Sequence, residues 1–311
     1  MAIDTSKGIA GLKGALRYVR AYRDQVFVVK LGGEVLADRH QLDQVAGQLA
    51  LLSSLSIRLV VVHGGGPQAT ALSTRLGLTS ELVAGRRVTD DETLDVVKMV
   101  YRGLLSTELV SALHRHGVQA AGISGVDGDL LTAHRRPPVR VVDDAGVERM
   151  VDYGHVGDID RVDPRVLITL LDARFVPVVS SLAGDPDGNV YNVNADTVAE
   201  SLAIALKAQK LIFLTGAPGV LRDRSDPATL VTFADPDDLA ELMASGALAG
   251  GMRPKVEACI RAATSGVERT HIIDGRVPDA VLLEMFTGSG CGTMIVGRKE
   301  KATYLGVDLA D

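Results

Sequence analysis

The sequence predicts an α/β protein: a mostly parallel, open sheet with helices on both faces, an αβα sandwich that carries inserted β-hairpins and an N-terminal helix. Two observations lead there. Apolar runs end in glycine at "FVVKLGG" (27–33) and "LVVVHGGG" (59–66), and runs of that length bounded by glycine read as strands buried on both faces, the kind that fill a parallel sheet. Stretches of helical spacing alternate with such runs, and a βαβ rhythm makes consecutive strands parallel with helices on both sides.

Each element follows in order. Leu12, Leu16, Val19 and Tyr22 have helical spacing ahead of the first strand and predict an appended helix within an N-terminal extension, 1–25. A strand at 26–31, a helix near 41–55, a strand at 58–62 and a helix at 67–76 come next, and helical periodicity resumes at about 90–116. From roughly 120 to 157 the text changes to short alternating runs, "LLTAH", "VRVV" and "RMVDYGHV", separated by "DGD" and "DDAG", which is hairpin text. The α/β rhythm returns with "FVPVVS" (175–180), a helix at 196–207, "KLIFLT" (210–215), a helix at 254–265, "THII" (270–273) and "TMIV" (293–296). A boundary near 180 divides a lobe 26–180 from a lobe 181–311.

At 311 residues there is room for two lobes, and 46% hydrophobic with 23% charged residues excludes a disordered chain. The net charge of -6 and the lack of a basic run argue against nucleic-acid or membrane-surface binding, so any anion must be bound locally. No signal-peptide core and no eighteen-residue uncharged apolar stretch occurs, which predicts a cytoplasmic protein. Cys259 and Cys291 lack CxxC spacing, so neither a disulfide framework nor a zinc site is expected. His63 and His155 have no ligand-spaced partners and read as core or loop histidines; no metal site built from side chains is predicted.

In open parallel sheets ligands sit at the carboxyl ends of the strands. Both glycine clusters fall there, and Gly32, Gly33, Gly65 and Gly66 would let backbone N–H groups approach an anion. Tight turns explain the glycines equally well. Neither GxxxxGK[ST] nor GxGxxG occurs, and the "HGGG" string shared with esterase oxyanion loops has no GxSxG elbow to serve. Lys30 tips the balance, because an ammonium within a buried strand must meet an anion or snorkel to water. Lys255, in "GGMRPKVEAC", follows a proline suited to the first turn of a helix. Asp196, in "NVNADTVAES", is either a helix-start residue or a carboxylate set between the two lysines. That second arrangement suits phosphoryl transfer, which needs positive charge and alignment more than covalent help. Arg87 precedes a helix that begins at Thr89 and Asp90, where a guanidinium can clamp a carboxylate.

Taken together, "VVKLGGEV", "VVVHGGGPQ", "GRRVTDDETLDVVKMV", "GISGVDGDLLTA", "DYGHVGDI", "NVNADTVAESLA", "LTGAPGVL", "GGMRPKVEACIRA" and "HIIDGRVPDAVLLEMFTGSGCGTMI" resemble the amino-acid kinase family over about residues 10 to 297. Within it they look most like the arginine-sensitive N-acetylglutamate kinases. The resemblance implies transfer of the ATP γ-phosphoryl to the side-chain carboxylate of N-acetyl-L-glutamate in arginine biosynthesis, with Mg2+ accompanying the nucleotide. By that likeness Lys30 and Lys255 would stabilise the phosphoryl group and Asp196 would orient both. Gly33 and Gly65, with Gly32 beside them, would bind phosphate. Gly65, Gly66, Arg87 and Asn192 would hold the acyl-amino acid. The first lobe would take the amino acid and the second the nucleotide. Tyr18 in the N-terminal helix, with His271 and Glu284, resembles the arginine-binding part of hexameric members, which implies L-arginine as inhibitor and a homo-oligomer, dimer or hexamer. The chain departs from the family at Gly216, where aspartate is usual, at Ser106 and Thr107, where many members have Asn-Lys, and at "VVSSLAGD". Other readings are a kinase of an α-aminoadipate derivative in lysine biosynthesis, against which "GRRVTD" argues, and a catalytically weak arginine sensor, against which the retained lysines argue. The kinase-like half of an acetylglutamate synthase is disfavoured, since the tail leaves no room for an acetyltransferase domain.

Overall fold

The computed structural model describes residues 14–297 apart from 15, 80, 84–85, 143–147, 247, 249 and 289. Leu12 and the C-terminal tail lie outside the described residues. The rest of the expected N-terminal helix is seen as helical turns over 16–22 (α1).

The central sheet is built from β1 (Val26–Leu31), β2 (Arg58–His63), β5 (Ala120–Ser124), β10 (Val176–Ser180), β13 (Lys210–Thr215), β14 (Phe233–Ala234), β15 (Arg269–Asp274) and β16 (Thr293–Val296). Its order is β14-β16-β15-β13-β1-β2-β10-β5, parallel throughout except where β16 runs against β15. Strands from before residue 180 fill one half and later strands the other, and they meet at the β1–β13 pair. A second sheet, β12-β11-β6-β9, joins β6 (Leu131–Arg135), β9 (Gly157–Val162), β11 (Leu182–Gly184) and β12 (Val190–Asn192). Two hairpins, β3 (Leu82–Val83) with β4 (Arg86–Arg87) and β7 (Val139–Val142) with β8 (Glu148–Val151), stand beside it.

The insertion therefore begins later than expected. Residues 120–124 pair with β10 in the main sheet; "AAGIS" is too poor in large β-branched residues to read as a buried strand. Four helices, α2 (Gly33–Ala37), α7 (Arg165–Asp172), α9 (Pro236–Ala244) and α11 (Ala280–Phe286), were likewise not expected. The helical run 90–116 is α5 (Asp91–Lys98), a π-helical segment Met99–Leu105, and α6 (Ser106–Arg115). That π segment sets Tyr101 and Leu105 against Gly65, where an added Cβ would lie 2.3 Å from Leu105 Cδ1. Only glycine fits there.

Side-chain parity explains the unbroken apolar strands. Phe27, Val29, Leu31, Leu59, Val61, Ile212 and Leu214 pack into a core on one face with α3 (Arg39–Ser54), while Val28, Val60, Val62, Leu211 and Phe213 pack into a core on the other. Lys30 is in register with Val62 and Phe213, so it projects toward the second face at the carboxyl end of β1. That face carries α8 (Ala195–Ala205) and α10 (Met252–Thr264).

Candidate active site

Because α8 and α10 cover the face onto which Lys30 projects, three distant residues meet. Asn194 caps α8 by accepting from the Asp196 N–H at 2.7 Å, which places the Asp196 carboxylate beside the end of β1. Lys30 Nζ lies 2.7 Å from one of its oxygens and Lys255 Nζ 3.1 Å from the other. One turn further along α8, Glu200 accepts two bonds from Arg261 at 2.7 Å each and clamps α8 to α10. Burial works to raise the Asp196 pKa, yet the two ammonium groups outweigh it and hold the carboxylate ionised below its ordinary range. The cluster retains one positive charge more than it has negative.

Two cavities open on either side of this centre. The smaller, about 250 Å³, is lined by Lys30, Gly65, Gly66, Arg87, Tyr101 and Asn192 among others. The larger, about 610 Å³, is lined by Lys30, Gly33, Glu34, Gly216, Lys255 and Arg276 among others. The glycine loops pack on one another: Gln68 Nε2 donates to the Gly33 carbonyl at 3.0 Å, and an added Cβ at Gly33 would lie 2.9 Å from Pro67 Cδ. Gly32 does not offer the donor expected of it. Its N–H is spent on the Leu214 carbonyl at 2.8 Å, because the β1–β13 pairing runs one residue further, and a Cβ at Gly32 would lie 2.9 Å from that same carbonyl oxygen.

Arg87 sits on β4 with its guanidinium buried. Nη2 donates to the Gly66 carbonyl at 2.8 Å and to Thr70 Oγ1. Nη1 is buried without a partner among the described residues. A buried guanidinium N–H left unbonded is costly, and an anion in the small cavity would satisfy it. Asp90 caps α5 through the Thr93 N–H at 2.8 Å. His63 is fully buried, its pKa pushed down to about 4 by burial, and it is neutral; His155 pairs with Asp91 at 2.8 Å in a loop. Burial pushes the Cys259 thiol up to about 12 and the Cys291 thiol up to about 11, as befits inert thiols.

Tyr18, His271 and Glu284 share a third cavity, about 390 Å³, at the other end of the sheet. His271 Nδ1 donates to Glu284 at 2.8 Å, and Lys210 Nζ lies 3.1 Å from His271 Nε2. Burial, and then the Lys210 charge, push the His271 pKa down to about 4, so the imidazole is neutral. The sequence reading passed over Lys210, Tyr101, Glu34 and Arg136. Arg136 lines the small cavity from the end of β6, paired with Asp158; only its place in hairpin text flagged it. At Gly216 an added Cβ would lie 3.3 Å from Glu34 Cγ, so the Glu34 side chain packs against the position at which the resemblance implies aspartate. Ser106 and Thr107 line neither of the two central cavities.

Residues 25–274 match the amino acid kinase family model. The chain belongs to the amino acid kinase family. This amino acid kinase is 50% identical over 288 residues to an acetylglutamate kinase of Myxococcus xanthus, across 92% of this chain and 94% of that one. Among solved structures it is similar to the N-acetylglutamate synthase from Neisseria gonorrhoeae complexed with coenzyme A and N-acetyl-glutamate, with a TM-score of 0.78 at 28% identity over 93% of this chain. The match spans 63% of the synthase. The same synthase complexed with coenzyme A and L-arginine matches with a TM-score of 0.76 at 26% identity, over 93% of this chain and 65% of that one. Among the described residues of this amino acid kinase, no helix is long and apolar enough to cross a membrane, and no group of three metal-ligating side chains occurs.

Proposed function

We propose that the protein transfers the γ-phosphoryl group of ATP to the side-chain carboxylate of N-acetyl-L-glutamate, as a step of arginine biosynthesis. One observation carries the reading: Lys30 and Gly33 line both cavities, so a donor in one and an acceptor in the other would meet at the surplus positive charge. The acceptor's α-carboxylate pairs with Arg87 Nη1 in the small cavity, with Asn192 and the Gly65–Gly66 turn around its acyl-amino end. Its side-chain carboxylate then faces Lys30. The nucleotide lies in the larger cavity, whose volume of about 610 Å³ suits a nucleotide-sized ligand. A carboxylate oxygen attacks the γ-phosphorus, the bond to the β–γ bridging oxygen breaks, and an acyl phosphate and ADP result. Lys30 and Lys255 offset the charge of the phosphoryl group in flight, and Asp196 keeps the two ammonium groups from separating. Gly33 and Gly65 stand at the starts of the helices Gly33–Ala37 and Gly66–Arg75, where backbone N–H groups lack intrahelical partners.

The glycine cradle and the surplus ammonium charge fit a triphosphate. Mg2+ bound with the nucleotide would neutralise the β- and γ-phosphates, its ligands coming largely from phosphate oxygens and water. The third cavity is proposed to take L-arginine as a feedback inhibitor, a reading supported by Tyr18, His271 and Glu284 on one wall and by the arginine complex of the gonococcal synthase. A cytoplasmic homo-oligomer, dimer or hexamer, completes the proposal.

The test is phosphoryl transfer from MgATP with the acyl phosphate trapped by hydroxylamine, N-acetyl-L-glutamate and an α-aminoadipate derivative being offered side by side. Strong signal with the glutamate compound is expected. A preference for the aminoadipate compound moves the protein to lysine biosynthesis, and no transfer to either removes the kinase reading.

A further inference from the structure

We propose that Thr89 is a positioning residue for the acceptor, its hydroxyl joining Arg87 and Asn192 into one rigid pair. Thr89 is fully buried, two residues beyond Arg87. Its Oγ1 donates to the Arg87 carbonyl at 3.3 Å and accepts from Asn192 Nδ2 at 3.2 Å. Since the hydroxyl proton goes to a carbonyl, the oxygen can only receive from Asn192. That turns the amide nitrogen toward Thr89 and leaves Asn192 Oδ1 and its second Nδ2 hydrogen for a ligand.

The backbone extends the clasp. The Thr89 N–H donates to the Tyr153 carbonyl at 2.9 Å, the His155 N–H to the Thr89 carbonyl at 2.6 Å, and the Asn192 N–H to the His155 carbonyl at 2.8 Å. Three segments distant in sequence are thereby fixed around one side chain. Gly154 permits the approach: its φ is +67°, and a Cβ there would lie 2.3 Å from the Thr89 carbonyl oxygen. A buried threonine with only a structural task commonly returns its hydroxyl to nearby backbone. Here one of the two bonds is spent on a side chain that lines the small cavity.

The inference rests on that cavity being the acceptor site. Thr89→Val keeps the shape and removes both bonds; Thr89→Ser keeps the hydroxyl. We expect Thr89→Val to raise the calorimetric Kd and the KM for N-acetyl-L-glutamate about tenfold, with kcat and the KM for MgATP within about twofold, and Thr89→Ser to restore acceptor binding. Thr89→Ala serves in the same comparison if the valine protein does not fold. Unaltered acceptor binding in Thr89→Val, a serine variant as weak as the valine one, or a parallel rise in the KM for MgATP each overturns the inference alone. Wild-type protein that binds no N-acetyl-L-glutamate overturns the acceptor-site reading, and the inference with it.

Discussion

Two lysines on neighbouring strands are buried and meet carboxylate-bearing clusters, yet the clusters differ in kind. Lys30 lies at the carboxyl end of β1, in register with Phe213; Lys210 opens β13, in register with Phe27. They point to opposite faces at opposite ends of one strand pair. Lys30 shares a single carboxylate with Lys255. Lys210 donates to Nε2 of a neutral histidine whose single ring N–H, on Nδ1, donates to Glu284, and the Tyr22 ring centroid lies 5.0 Å from the Lys210 Nζ. The first cluster has a buried ammonium to spare; in the second, among the described residues, one buried ammonium faces one buried carboxylate, with the part-exposed Arg269 on the cavity wall. A buried lysine by itself does not mark a phosphoryl site. The surplus of positive charge does, because only an incoming anion can neutralise it.

The largest expected effect tests that surplus directly. Lys255→Ala should lower kcat about 10³-fold while leaving both KM values within a few-fold, because the ammonium acts on charge that develops in the transition state. Lys210→Met, a change in the balanced cluster, should leave kcat near wild type. Steady-state kinetics on both variants decides it: equal losses of rate and binding at Lys255, or an equal loss of kcat at Lys210, would erase the distinction.

Next in size is Asp196→Asn. It leaves two ammonium groups sharing no carboxylate in a site where Lys30 is only 7% exposed, and breaking a buried pair from one side costs about 3–5 kcal/mol. Urea unfolding at pH 7 should show that loss, and saturating MgATP should recover part of it by supplying anionic oxygens. A variant as stable as wild type would mean that the lysines reach solvent more freely than their burial indicates.

The same contrast explains what could be read from the sequence. Lys30 was legible because it interrupts an apolar run. Lys210 was not, since a lysine at the first position of "KLIFLT" is expected to reach water. It is buried because α1 brings Tyr18 and Tyr22 over the start of the strand, where they stack at 5.8 Å and meet Phe286, a contact between distant segments that no local pattern encodes. Asp196 reads equally well as a helix-start residue, and Lys255 as an exposed lysine of an ordinary helix, and only the shared face of α8 and α10 decides for the paired arrangement. The second sheet escaped for a related reason: β11 and β12 are three residues each, too short for alternation to register. Nor does any hydrophobic period mark the π segment that brings Tyr101 to the small cavity.

The smallest expected effect per group concerns the neutral histidine of the balanced cluster. His271 has its pKa pushed from 6.5 to about 4 in the folded protein, and a depressed histidine pKa means the unfolded chain binds the proton first as pH falls. Its contribution is fully present above pH 6.5 and is lost progressively between about 6.5 and 4, reaching roughly 3 kcal/mol at the lower end. His63 is depressed to about 4 by burial as well, so the wild-type curve should carry two protons' worth of slope in that window. The Asp196 and Glu284 carboxylates, both held below their ordinary range, add to the loss from about pH 5 downward, as the unfolded chain begins to bind their protons. Unfolding free energies measured at several pH values between 7 and 4 should therefore fall more steeply for wild type than for His271→Gln, by about one proton in the slope. Parallel curves would show that His271 is already protonated in the folded state, and the cluster around Lys210 would then carry a surplus of its own.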